Sequence, residues 1–233
     1  MSAPVLLITP PFTQLNTPYP ATAYLKGFFN TKGIGSVQAD LGIEVILALF
    51  NKEGFEQLFE TIESKQIDLS DNCKRILALK DKYIHTIDAV ILFLQGKQNT
   101  LAHTICTRKF LPEASRFEQI DDLKWAFGSM GKLDMAKHIA TLYLEDIGDL
   151  IKETVDEHFG FSRYAESLGR SANQFDELYN ALQLPYTFIT AISIFYLLCL
   201  HLMYCYLGKS LFLFIHILLL YCSNVSNGLL FLL

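Results

Sequence analysis

The chain has 233 residues, a formal charge of −5 and no cluster of Lys or Arg, which excludes an extended nucleic-acid-binding surface. Its five cysteines, Cys73, Cys106, Cys199, Cys205 and Cys222, are odd in number and lack CxxC spacing. Neither a disulfide framework nor a zinc site is therefore indicated, and a reduced, cytoplasmic setting is expected for residues 1–180.

In chain order, Pro4-Val5-Leu6-Leu7-Ile8-Thr9 reads as a short buried strand covered on both faces. Pro10-Pro11 stops it, because proline cannot donate to a ladder and disfavours helix in the residue before it. After a loop of Thr, Gln, Asn, Pro and Tyr, the pattern Ala23, Tyr24, Phe28 predicts a helix from about Ala21 to Lys32, with Gly33 as its C-cap. Ser36 to Ala39 then reads as a second strand, closed by Asp40. Strand, helix and strand in this order predict a βαβ unit with a parallel sheet, hence a Rossmann-like α/β start.

Ligands of doubly wound sheets sit beyond the carboxyl ends of the strands, where residues 10–20 would lie. Prolines there reduce the entropy lost on ordering the loop, and a helix N-terminus behind it offers free N–H groups. Pro10, Pro11, Thr13, Tyr19 and Pro20 are accordingly candidate ligand-binding residues, with Asp40 able to accept a ribose hydroxyl. The loop is no phosphate cradle, since GxGxxG and GxxxxGK[ST] are both missing. From spacing alone the competing reading, a solvated cap on the strand ends, stays open.

Taken together, VLLITPPF, the prolines Pro18 and Pro20, the helix AYLKGFFNTKG and the strand ending at Asp40 resemble the opening of radical SAM enzymes with an N-terminal cobalamin-binding-type domain. The likeness continues, more loosely, through residues 129–183. It implies a cobalamin-type domain whose loop lines a cofactor or small-molecule cleft. Two motifs of that family do not occur here. DxHxxG, which supplies the His ligand to cobalt, is missing, so the resemblance implies corrinoid binding without that ligand. CxxxCxxC, which holds the [4Fe-4S] cluster that binds S-adenosylmethionine, is missing too, so those cofactors are expected only in a full-length form.

The middle of the chain, residues 51–183, reads as mainly helical. Apolar residues recur at three- and four-residue intervals over Phe55–Ile62 and Ile76–Phe93. Asp134 is the expected N-cap of a long helix with Met135, Ile139, Leu142, Ile147, Leu150, Ile151 and Val155 on one face. Glu145, Asp146, Asp149 and Glu153 are expected largely off that face, and two further short helices are expected between 161 and 182. His85 and His103 read as core or boundary histidines. The pairs Asp134/His138 and Glu153/Glu157 have metal-ligand spacing but no HExxH or second cluster beside them, so no metal site is expected. Ser129 lacks the GxSxG setting of a nucleophile, and Arg163 and Arg170 read as helix-end cations.

Residues 184–233 differ in composition. Of 43 charged residues, 42 lie at or before Glu177, and Leu, Phe, Ile, Tyr and Cys supply 32 of the 48 positions from Tyr186 onward. The expectation is an out-of-frame stretch beginning between Leu184 and Thr190. The alternative is a membrane-spanning tail through residues 186–222, which would anchor the protein to a membrane. The whole reads as the N-terminal, non-catalytic part of a cobalamin-domain-type radical SAM enzyme, with a membrane-anchored α/β binding or scaffold module as the alternative. A small-molecule cofactor or substrate is the expected partner, and the sequence carries no indication of oligomeric state.

Overall fold

A computed structural model describes residues 5–9, 20–65, 67–118, 131–157, 159–161 and 187–206, with backbone only for 201–206. The chain divides into two compact units, one of Met1–Ala48 with Gly160–Leu233 and one of Leu49–Phe159. Among the described residues the protein is mostly helical, with a two-stranded parallel sheet at its start.

In the first unit, β1 (Val5–Thr9) and β2 (Ser36–Asp40) pair in parallel, Val5 with Ser36 through Thr9 with Asp40. Helix α1 (Pro20–Thr31) connects them. It starts on Pro20, whose missing N–H costs nothing at a first helical position. It ends in a Schellman motif: Gly33 adopts φ +67°, its N–H reaches Asn30 O at 3.2 Å, and Ile34 N–H reaches Phe29 O at 3.0 Å. α1 packs on the sheet face that carries Leu7 and Thr9, both buried.

Helix α2 (Leu41–Leu49) follows β2 without an intervening loop, and α8 (Phe188–Tyr206) returns to the same unit. On the sheet's other face Ile8 packs with Leu41 of α2 and with Ile194, Tyr196, Leu197 and Leu200 of α8. The alternation of a strand thus sends Ile8 to one helical layer and Thr9 to the other. The start of α8 is set by a reciprocal cap: Thr187 Oγ1 accepts Thr190 N–H at 3.2 Å, and Thr190 Oγ1 accepts Thr187 N–H at 3.3 Å. Residues 188–200 therefore contribute to the core of this unit, while 207–233 of the expected apolar tail lie outside the described residues. Among the described residues no helix is long and apolar enough to cross a membrane.

The second unit holds α3 (Lys52–Ser64), α4 (Asp71–Ala78), α5 (Lys80–Leu94), α6 (Leu101–Cys106), a 3-10 turn (Ser115–Phe117) and α7 (Lys132–Thr154). Asn51 caps α3, its Oδ1 accepting Gly54 N–H at 2.8 Å, and Phe55, Leu58, Phe59 and Ile62 then face inward at helical spacing. α3 packs on α5, and α7 packs on α4, α6 and the 3-10 turn.

Several expectations need correction. The stretch from Ile76 to Phe93, read as helical, is divided between α4 and α5: Leu79 sits at φ −101°, ψ 7°, and its N–H is shared between Arg75 O and Ile76 O. Asp134 lies inside the first turn of α7, whose N-cap is Gly131. In α1 it is Thr22 that is buried, whereas Tyr24 and Phe28 are 79% and 55% exposed. The helix thus presents to the sheet a face whose Thr22 hydroxyl meets Thr9 and Gln38. The expected helices between 161 and 182, and Ser129, Arg163 and Arg170, lie outside the described residues.

Candidate functional site

The carboxyl ends of β1 and β2 and the N-terminus of α1 form one edge of the first unit, because the register sets Thr9 beside Asp40. A small polar set braces this edge. Thr22, in the first turn of α1, lies 3.4 Å from Thr9 through the two hydroxyl oxygens, and its Oγ1 accepts a hydrogen bond from Gln38 Nε2 at 2.7 Å. Thr9 and Thr22 are buried and Gln38 is exposed, so the hydroxyls fix the helix to both strands while Gln38 closes the set from outside.

Of the six sequence-derived binding residues, Pro20 and Asp40 are described, and Pro10, Pro11, Thr13 and Tyr19 lie outside the described residues. Pro20 is the exposed first residue of α1. Asp40 is half-buried, and its Oδ1 accepts Ile43 N–H at 3.2 Å. One of its two carboxylate oxygens thus caps α2, a role that follows from the direct passage of strand into helix. The sequence reading missed Thr9, Thr22 and Gln38. A threonine two residues after buried Leu7, together with one in the first helical turn, was the available signal.

A second polar centre lies within residues 49–159. Asp146, expected largely off the apolar face of α7, is instead fully buried on it among Tyr143, Ile147 and Leu150. Its Oδ2 accepts from Ala114 N–H at 3.0 Å and from the Tyr83 hydroxyl at 3.4 Å, and its Oδ1 accepts Arg116 N–H at 3.2 Å. Burial pushes this carboxyl up to about 6, against the pull of the two backbone N–H groups. Burial also raises the Tyr83 and Tyr143 hydroxyls, whose rings stack with centroids 5.0 Å apart. Tyr143 donates to Tyr83 O at 3.0 Å.

Other candidates are accounted for by their structural settings. Glu153 accepts from Ser70 N–H and Ser70 Oγ, each at 2.7 Å, which lowers its pKa and secures the start of α4. Desolvation pushes the buried Cys73 thiol up to about 11, far from a reactive thiolate. His85 and His103 are exposed rather than core or boundary residues, and a ring nitrogen of His85 meets the Asp81 carbonyl one turn back. Among the described residues no group of three or more His, Cys, Asp or Glu is arranged to hold a metal ion. No protein-family model, no curated protein and no solved structure matches the chain.

Proposed function

We propose that residues 5–40 are the ligand-facing part of a Rossmann-like, cobalamin-binding-type domain, similar to that at the front of radical SAM enzymes, and that the domain holds a small molecule beyond the carboxyl ends of β1 and β2. The observation that supports this reading is the parallel register of Thr9 with Asp40, with the start of α1 tied to both strands through Thr22. That edge is where ligands of open α/β sheets gather.

The residues bear on which ligand fits. With no DxHxxG in the sequence, a corrinoid would be held without a protein imidazole on cobalt, by Asp40 and by the sequence-derived candidates Thr13 and Tyr19. With no CxxxCxxC in the 233 residues, reductive cleavage of S-adenosylmethionine is not assigned to this chain, whose proposed part is binding and orientation. When bound, a corrinoid supplies methyl-transfer or one-electron chemistry of its own. The alternative is a membrane-anchored α/β binding or scaffold module without enzymatic activity.

The test is a titration of the full chain with hydroxocobalamin, followed by absorbance and calorimetry. Saturable one-site binding is expected, weakened about tenfold by Tyr19→Ala and by Asp40→Asn, roughly the loss of one good polar contact. Asn caps a helix as well as Asp, so Asp40→Asn leaves α2 in place while removing the charge. Failure of any corrinoid to saturate the chain would refute the corrinoid reading, and saturation untouched by both variants would move the site away from this edge.

A further inference from the structure

The buried carboxylate of Asp146 joins three elements of the second unit, and its surroundings are unusually one-sided. Among the described residues its three partners all donate: Ala114 N–H and the Tyr83 hydroxyl to Oδ2, and Arg116 N–H to Oδ1. The charged groups around it are engaged elsewhere. The Arg116 guanidinium grips Asp149 with two bonds of 2.7 Å and lies 3.5 Å from Glu145, both on α7. Arg75 of α4 pairs with Glu118 at 2.6 Å. Among the described residues Tyr143 of α7 and Tyr83 of α5 also face the site, and both stay protonated because burial raises them.

The partners differ in one chemical respect. A hydroxyl can donate or accept, whereas a backbone N–H can only donate. A proton added at Oδ2 would therefore be received by Tyr83 Oη with its role reversed, while Ala114 N–H would be left with the oxygen of a neutral carboxyl hydroxyl, a weaker acceptor than a carboxylate oxygen. Oδ1 would remain a carbonyl oxygen and keep Arg116 N–H.

We propose that Asp146 is a proton-operated latch on the link of residues 111–117: ionised, it clamps the backbone of Ala114 and Arg116 to α7, and protonated at Oδ2, it turns to Tyr83 and releases Ala114. The switch is local. Because burial leaves the folded carboxyl readier to take a proton than the same group in the unfolded chain, protonation favours the fold as a whole while one of its bonds opens. The carboxyl titrates at about 6, so the latch opens under mild acidification.

Amide-resolved hydrogen exchange on the full chain tests this, with protection factors at about pH 7.5 and about pH 5 each referred to intrinsic exchange at that pH. The Ala114 amide is expected to lose about tenfold protection at the lower pH, as for one lost hydrogen bond, while Arg116 and Ile147 change by less than about threefold. Asp146→Asn, whose amide imitates the protonated acid, is expected to show the low Ala114 value at both pH values. Equal Ala114 protection at the two pH values would overturn the proposal, as would a wild-type pH response retained in Asp146→Asn. Should that variant not fold, the wild-type pair of measurements decides alone.

Discussion

The second unit and the βαβ unit close their polar groups by different means. In residues 49–159 the core is rich in aromatics, Phe50, Phe55 and Phe59 meeting edge to face at centroid spacings of 5.6 and 6.1 Å, and a buried carboxylate secures an irregular link to α7. In the βαβ unit the described sheet has two strands, the seam between helix and sheet is made of hydroxyls, and the larger side chains Tyr24 and Phe28 stand outside. Where apolar burial is extensive, one polar group can be carried inside at a cost. Where it is thin, backbone pairing and small polar contacts carry the geometry.

That contrast can be broken by substitution. Phe55→Ala should cost about 3–5 kcal/mol in chemical denaturation, because it empties a fully buried aromatic site, whereas exposed Phe28→Ala should stay within about 0.5 kcal/mol. Comparable losses for the two would mean that the outward face of α1 is covered in solution.

The pH dependence comes next in size. Asp146 has a folded pKa of about 6 against an ordinary 3.8, so its contribution is fully present below about pH 4 and is lost as pH rises through 6. Stability should fall by roughly 3 kcal/mol over that window on this account, and Asp146→Asn should remove the slope. Glu153 runs the other way, since its lowered pKa favours the fold above its ordinary 4.5 and is lost only on further acidification. Between pH 5 and 7 the Asp146 slope is therefore the one denaturation midpoints should follow.

Smaller effects sharpen the comparison at helix ends. Asn51→Ala should cost about 1 kcal/mol by orphaning Gly54 N–H, with Asn51→Asp restoring it. Gly33→Ala should cost about 0.5–1 kcal/mol. At φ +67° the strain is conformational, since a Cβ there would meet nothing within 4 Å, and it is partly offset by a stiffer unfolded chain. Both values are readable from denaturation midpoints.

How far the sequence disclosed these features follows from the physics of each. The ends of α1 were legible because proline and glycine act through local backbone geometry, and the buried stripe of α7 was legible because its period persists over many turns. The break at Leu79 carried no such mark, since neither proline nor glycine stands there. Asp146 was misplaced for the same reason: its burial is repaid by backbone donors some 30 residues earlier, which no helical periodicity can reveal. Pairing of Thr9 with Thr22 was likewise hidden, because it depends on the crossover bringing one helical turn over a strand end.

The direct passage from β2 into α2 has a mechanical consequence. Leu41 and Val45, one helical turn apart, are both fully buried, and the helix that carries them begins on the residue after the strand. A slip of β2 by a single residue would have to turn α2 by about 100°, swinging Leu41 away from Ile8 and Leu197 and moving Val45 out of its buried position. Strand and helix thus behave as rack and pinion: the parallel register is held as firmly by the seating of two aliphatic side chains as by its own hydrogen bonds.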